Sequence, residues 1–488
     1  MGRLFTGREH ADPASSATPR DLDLAARVVM LVATALVCVG LRVRHLDRDS
    51  LWYDEVVTMR LARTANPVEL IVLLGRIDGT RAPLHPLLLQ AWVRVFGPSE
   101  LSGRSFSAAC GVLTVLLVYV LGRTLHDEST GRWAAWLAAV CPPLVYYSQE
   151  ARMYSWLVLL TCLSWLLFAR FREKAGLGSM LLYGLILAAL AYSHPLGLFM
   201  IAAHGAAYLL VRKSLALNFR SWIVIQLGVL LAVLPWIRRY LDHGTDYPLP
   251  LYSARYLFAV PIEYVGGNGL VLLACVLIIA AGLVSGATTT KAAESRILLT
   301  WLAVPPVAMY LASWIVRPIF GPPRYHLFIA PAYLILLARG LCVLPALVRW
   351  VLAAVGLYLS LMLIEANVYS QVAKADWRGL ARWIDADRRP EATIDGSRFV
   401  VVVHPSDTRF PRDQIEAARY YLEPRTTVLP GDTEETARRV RQEAAGGTHV
   451  LDVHCLPAGE SRRPEPPSSG DRPGDGPPPL YGLDIRRR

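Results

Sequence analysis

The chain reads as mainly α-helical: a polytopic membrane bundle of about eleven transmembrane helices with a small extracytoplasmic α/β domain near its C-terminal end. Three observations predict this. Hydrophobic residues make up 54% of the 488 and charged residues only 18%, where a soluble chain carries roughly a quarter. The apolar residues are gathered into runs on the scale of the roughly 20 that cross a bilayer about 30 Å thick. After residue 364 the pattern changes to short alternating stretches of mixed polarity.

Taken in order, residues 1–23 form a polar cytoplasmic segment, and the first apolar run is 24–41. It is read as a retained span, because it follows that polar stretch and shows no small-residue cleavage site. The other ten runs are 105–121, 133–147, 153–168, 180–193, 196–211, 222–240, 270–286, 297–316, 325–338 and 344–364, so the membrane domain covers 24–364. Segment 42–104 is too long for a simple connection and is expected to be functional. Within it, 86–96 is amphipathic and expected to lie in the interface plane. Over 365–457 the spacing predicts a helix at 376–387, a strand at 399–403, helices at 412–422 and 434–443, and a second strand at 449–453. The remainder, 458–488, rich in Pro, Gly and Ser over 460–479, is expected to be disordered.

The formal net charge of +11 decorates loops and tail, so nucleic acid is not expected as a partner. Six of the seven cysteines fall in apolar runs, where a thiol behaves as a small hydrophobe, and disulfides are not expected. No CxxC or Cys/His pair suggests a metal. With a cytoplasmic N-terminus, the cations concentrate in the inside loops. Eleven crossings then place the α/β domain outside. Four polar groups meet on the outer face: Asp54-Glu55, Glu150-Ala151-Arg152, His194 and Arg324-Tyr325-His326.

Trp52-Tyr53-Asp54-Glu55 sets two carboxylates beside an aromatic flank at a membrane surface, where charge has little structural use. Asp54 suits a general base for a hydroxyl or amine acceptor. Glu55 points elsewhere on most backbones; it orients the site, binds acceptor or is a solvated neighbour. Arg81 can hold a phosphate by two parallel hydrogen bonds, and His85, between two prolines, can add a donor. Glu150 and Arg152, in a tight outer turn ending at Tyr154, either pair with each other or bind substrate hydroxyls and phosphate. His194 sits in a similar turn and Arg324 in a Pro-rich one. The chain has no glycine-rich nucleotide loop, which argues against ATP or a nucleotide-sugar donor.

These residues together resemble the GT-C glycosyltransferases of the protein O-mannosyltransferase and aminoarabinose-transferase branch. The resemblance rests on Trp52–Glu55, Arg81–Pro86, Phe96–Arg104 and Gln149–Tyr154 in that order, with Arg324–His326 and Lys374–Arg378 further on. It implies a sugar donor on polyprenyl phosphate, transfer at the outer membrane face, and inversion at the anomeric carbon. Asp54 matches the family's catalytic aspartate. Arg81 matches a basic position near the lipid phosphate, although this chain has Arg-Ala-Pro where a Pro-Pro pair is common. Substrate-binding roles carry over to Glu55, His85, Glu150, Arg152, Tyr154, His194, Arg324, Tyr325 and His326. Some relatives use a divalent metal, but no ligand set here demands one. The acceptor is left open between protein, lipid and glycan. The alternative is a transporter or flippase of lipid-linked sugars, which predicts interrupted helices in two related halves; none is visible in the sequence.

Overall fold

A computed structural model describes residues 19–77, 82–242, 251–287, 292–316, 318–369, 375–387, 399–405, 411–422, 426–431, 435–436, 438–440, 449–455 and 483–487. The membrane region comprises α1 (Pro19–Val43), α2 (Tyr53–Ala62), α3 (Pro67–Ile77), α4 (Leu84–Phe96), α5 (Glu100–Leu125), α6 (Glu128–Ala139), α7 (Pro142–Ser148), α8 (Tyr154–Arg170) and α9 (Leu177–Ser193). It continues with α10 (Gly197–Val211), α11 (Phe219–Asp242), α12 (Tyr256–Glu263), α13 (Gly269–Ala287), α14 (Ala292–Ile315), α15 (Ala330–Val343) and α16 (Ala346–Ile364). Among the described residues, six helices are long and apolar enough to cross a membrane; α8, α9 and most of α13 are shorter apolar helices. Each of the eleven predicted runs overlaps at least one helix.

The run predicted over 133–147 is not one helix. It breaks at Cys141-Pro142-Pro143 into α6 and α7, because a proline lacks the N–H that would continue α6. The exposed carbonyls at the break are taken by Arg42 from the end of α1. Its guanidinium, fully buried, donates to Ala139 O at 3.0 Å and Ala138 O at 3.2 Å. Buried small residues line α5 at Gly103, Ser107, Gly111 and Gly122, letting neighbours approach to backbone contact. A Cβ on Gly122 would come within 2.9 Å of the Gly131 Cα on α6. Conversely, α1, α11 and α16 turn Val29, Leu231 and Leu347 fully outward, as a lipid-facing surface requires.

The segment between α1 and α5 carries three helices, of which sequence periodicity predicts only α4. Helix α3 buries Leu70 and Leu74 but exposes Val68 and Val72, an arrangement suited to lying in an interface. Helix α4 likewise buries Leu89 and Val93 and exposes Val95 and Phe96.

Beyond α16 come α17 (Trp377–Asp387), β1 (Phe399–His404), α18 (Pro411–Leu422), β2 (Thr427–Pro430), β3 (His449–Cys455) and β4 (Leu483–Arg487). The sheet order is β2-β1-β3-β4, with β1 parallel to β2 and β3, and β4 antiparallel to β3. The unbroken Phe399–Val403 run suits the inner strand it forms. Two expectations need correction. The 458–488 tail is not wholly disordered, since Leu483–Arg487 pairs with β3, Ile485 opposite Val453; its alternation of Leu483 and Ile485 with polar residues is too short to outweigh the surrounding Pro/Gly composition. A short strand, β2, was also missed. Of the predicted 434–443 helix, 435–436 and 438–440 are helical and the rest lies outside the described residues, as does the 460–479 stretch.

The α/β region does not stand apart. Leu51, Val56, Met59 and Ala62, between α1 and α5, share one core with Trp377, Leu380, Ile384, Ile415 and Ala418. That shared core places α18 against α2, the helix that begins just before Asp54.

Candidate active site

Asp54 and Glu55 occupy the first turn of α2, where backbone N–H groups favour negative charge. A rotation of about 100° per residue sends the two carboxylates to different places. Asp54 stays at the surface of the fold, its side chain 17% exposed, and its Oδ2 lies 3.4 Å from Nη2 of Arg152. Arg152 Nη1 also donates to the Asp54 carbonyl at 3.3 Å and to Thr58 Oγ1 at 3.1 Å. Burial disfavours the Arg152 charge, but Asp54, Tyr154 and Glu150 outweigh that and hold its guanidinium firmly protonated.

Glu55 turns inward and is fully buried. Arg104 from α5 meets it with two parallel bonds, Nε to Oε1 at 2.9 Å and Nη2 to Oε2 at 3.0 Å. The Ala151 N–H donates to Oε1 at 2.9 Å, and the Trp52 N–H to Oε2 at 3.4 Å, the reach-back of a helix-capping glutamate. Arg104 also donates to the carbonyls of Leu46, Asp49 and Ser50. The structure therefore places Glu55 among structural contacts and not at the open face.

The 149–153 turn owes its composition to the same assembly. Gln149 Nε2 donates to the carbonyls of Leu41 and Arg44, both at 2.9 Å, closing the end of α1. Ala151 fixes Glu55, and Arg152 reaches Asp54 while its carbonyl accepts from Ser107 Oγ at 3.2 Å. Glu150 is buried and interacts with Tyr146 and Arg152. The Phe96–Arg104 stretch is equally dense in function. Gly97 takes φ +89°, Ser99 caps α5 through Ser102 N at 3.1 Å, and Gly103 leaves room for Met59, whose sulfur would sit 2.5 Å from a Cβ there.

Near Asp54 stands Arg324. Its guanidinium lies 5.9 Å from the Trp52 ring centre and 5.6 Å from that of Tyr325, and it is within electrostatic reach of Asp54, Tyr154 and Tyr147. Among the described residues it has no salt bridge to a carboxylate. Tyr154 and Tyr325 flank His194 at 6.4 and 6.0 Å between ring centres, and His194 Nδ1 accepts from the Leu196 N–H at 3.1 Å. Asp54, Arg152, Tyr154, His194, Arg324 and Tyr325 thus form one cluster of neighbours. His85, on α4, is buried against Phe106 with its ring centre 5.7 Å away. Burial, aided by Arg152, pushes its pKa down to about 3, so it is neutral. Among the described residues its Nε2 has no hydrogen-bond partner. His326 packs inward on Phe320 at 4.7 Å, away from the group. Arg81 and Lys374 lie outside the described residues.

Sequence reasoning gave no role to Arg104, Arg378 or Tyr421. The first two stand in quoted motifs, Ser-Gly-Arg and Ala-Asp-Trp-Arg, and a motif arginine beside an acidic pair was the available signal. As for a divalent ion, no group of three or more His, Cys, Asp or Glu among the described residues fits one. Asp54 faces guanidinium groups where a metal would need further carboxylates, so no step is routed through a metal.

Residues 80–238 match the model of the dolichyl-phosphate-mannose-protein mannosyltransferase family. A comparison with curated proteins gives no match. In structure, the chain is similar to ArnT from Cupriavidus metallidurans bound to undecaprenyl phosphate, with TM-score 0.55 and 15% identity over 88% of this chain and 93% of that one. It is also similar to the archaeal oligosaccharyltransferase AglB from Archaeoglobus fulgidus in complex with an inhibitory peptide and a dolichol-phosphate. There the TM-score is 0.55 and the identity 13%, over 88% of this chain and 70% of that one. The GT-C resemblance read from the motifs is thus met by the fold and by a family match over 80–238.

Proposed function

We propose that this chain, built on the GT-C fold of ArnT and AglB, is an integral-membrane glycosyltransferase. It moves a sugar from a polyprenyl-phosphate donor to an acceptor on the extracytoplasmic side. The observation that carries this is the pairing of one partly exposed carboxylate, Asp54, with two guanidinium groups, one of which, Arg324, lies beside aromatic rings and among the described residues has no salt bridge to a carboxylate. A cation so placed seeks an anion, and the phosphate of a lipid-linked sugar supplies one. The ArnT structure is bound to undecaprenyl phosphate and the AglB complex contains a dolichol-phosphate, which supports this choice.

In this mechanism Asp54 accepts the proton of the acceptor O–H or N–H as that atom bonds to the anomeric carbon. The bond from that carbon to the phosphate oxygen breaks, and the electron pair leaves with the polyprenyl phosphate. Arg152 and Arg324 neutralise the charge on the departing phosphate, a stabilisation strongest where water is excluded. Arg81 is a further candidate for that phosphate. Tyr154, His194 and Tyr325 are the members of the cluster that contact the sugar. Glu55 and Arg104 fix where α2 begins. The membrane helices form one domain and the α/β segment an extracytoplasmic one, with the N-terminus in the cytoplasm.

The test is transfer by purified protein in liposomes from a panel of polyprenyl-phosphate sugars, with mass analysis of envelope glycans made with and without the protein. Loss of label from the donor without a new glycoside, or movement of intact donor across the bilayer, would overturn the assignment. A cytoplasm-dependent reporter fused after Asp387 is expected to be silent; signal would reverse the orientation.

A further inference from the structure

The catalytic assignment leaves one dense polar cluster unused, and it joins the two ends of the chain. Between α1 and α2 the backbone over 44–52 is irregular. It is gripped from two sides. From the membrane side, Arg104 takes the carbonyls of Leu46, Asp49 and Ser50. From the other side, Arg378 at the start of α17 donates to the carbonyls of Asp47 and Arg48, both at 2.8 Å, and to the Asp47 and Glu100 carboxylates at 3.0 and 3.1 Å. Ser50 Oγ donates to Asp376 Oδ1 at 3.3 Å and accepts the Arg378 N–H at 3.1 Å. The Leu51 N–H donates to the Tyr421 hydroxyl at 2.7 Å, and that hydroxyl donates to Glu100 Oε1 at 2.6 Å.

The far end of α2 is held by the same helix. Arg60 donates to Glu416 Oε2 at 2.7 Å, and the Arg63 guanidinium stands 4.8 Å from the Tyr420 ring centre. Between these two anchors the shared apolar core lies under Val56 and Met59. Asp54 is three residues past Leu51. Its 3.4 Å contact with Arg152 therefore depends on where α2 starts, and irregular backbone holds that start only as well as its bonds do.

We propose that Asp376, Arg378 and Tyr421 are positioning residues for the transfer reaction: the α/β domain clamps residues 47–51 and so fixes Asp54 against Arg152. The proposal rests on the glycosyltransferase assignment and deepens it. It explains why Ala-Asp-Trp-Arg follows the last membrane helix. Trp377 seats α17 in the shared core, while Asp376 and Arg378 on either side of it hold the loop.

The test uses the full chain in lipid nanodiscs and the variants Arg378→Ala, Arg378→Lys and Tyr421→Phe. Three quantities are read: kcat for transfer, affinity for polyprenyl phosphate without sugar, and amide exchange over 47–54. With the clamp released, exchange over 47–54 rises tenfold or more and kcat falls at least tenfold. Affinity for the lipid phosphate stays within twofold, because Arg152 and Arg324 are untouched. Arg378→Lys regains part of kcat by keeping the charge while losing the fork. Wild-type kcat despite faster exchange overturns the proposal, and so does unchanged exchange in Tyr421→Phe. If Arg378→Ala does not fold, Tyr421→Phe and Ser50→Ala carry the same three readouts. If the wild-type protein uses no polyprenyl-phosphate sugar, the glycosyltransferase assignment fails, and the clamp is then judged on exchange alone.

Discussion

Adjacent carboxylates with opposite fates make the sharpest prediction. Asp54→Asn and Glu55→Gln each remove one charge from neighbouring positions, yet the structure gives them different costs. The Glu55 carboxylate is fully buried and Arg104 nearly so, with bonds of 2.9 and 3.0 Å between them and 2.9 Å to the Ala151 N–H. Removing one member of such a pair typically costs 3–5 kcal/mol, because the remaining charge stays buried. Arg104 keeps three carbonyl partners, which puts Glu55→Gln at the low end, about 3 kcal/mol. That is a large part of a stability on the order of 5–15 kcal/mol. At about 2 °C per kcal/mol for a large chain, the apparent Tm in detergent falls by roughly 6 °C. Asp54→Asn leaves Arg152 bonded to Thr58 Oγ1 and to the residue 54 carbonyl. Its stability changes by about 1 kcal/mol, while transfer drops by roughly 10²-fold or more as the proton acceptor is lost. Tryptophan-fluorescence melting and radiolabelled transfer, run on the same preparations, separate the two. A Glu55→Gln protein that melts like wild type refutes the buried-pair argument. An Asp54→Asn protein that keeps over about a tenth of wild-type activity refutes the base assignment.

Three further outcomes follow from named contacts. Arg324→Ala is expected to weaken polyprenyl-phosphate binding between about tenfold and hundredfold, the range of a lost charge-assisted hydrogen bond; titration calorimetry in detergent measures it, and unchanged affinity would remove Arg324 from the phosphate. His85 takes a proton near pH 6.5 when unfolded but only near 3 when folded, so the unfolded state binds more protons in that window and stability falls as pH drops through it. At pH 5 the loss is about 2 kcal/mol relative to pH 7, and His85→Gln should flatten that slope in a pH series of melting curves. Truncation before Leu483 removes the strand paired with Leu451–Cys455. It should expose the β3 edge, raise protease sensitivity of the α/β domain and lower transfer; a truncated protein as active and as protease-resistant as wild type would show that β4 contributes nothing.

Much of this was legible because polar residues at the ends of apolar runs have few reasons to be there. Asp54, Arg152, Tyr154, His194, Arg324 and Tyr325 were all visible on that ground, and the structure places them as near neighbours. The division of labour between Asp54 and Glu55 was not legible, since it depends on helix phase and on a partner 49 positions away, Arg104. His326 follows two residues of that cluster, yet its own side chain is buried against Phe320. The break at Cys141-Pro142-Pro143 was hidden because those residues do not interrupt an apolar run. Strand β4 was hidden for the converse reason, five patterned residues after a long polar stretch. The clamp was the least legible feature, because each bond that Asp376, Arg378 or Tyr421 makes to residues 47–51 or to Glu100 joins residues 278 to 370 positions apart in sequence.

That separation has a consequence for biosynthesis. The loop before Asp54 leaves the ribosome early, but Arg378 and Tyr421 are made more than 300 residues later. At about 5–20 residues per second, the loop waits roughly a quarter of a minute to a minute before its second set of anchors exists. Before that interval ends a nascent chain already holds Asp54, Arg152 and Arg324, and on the proposed function it does so alongside the cell's stock of activated lipid. A loop secured only from the far end of the sequence keeps such unfinished chains idle. On the proposed function, stalled or prematurely terminated products then leave that stock untouched, and turnover begins only once the α/β portion has folded.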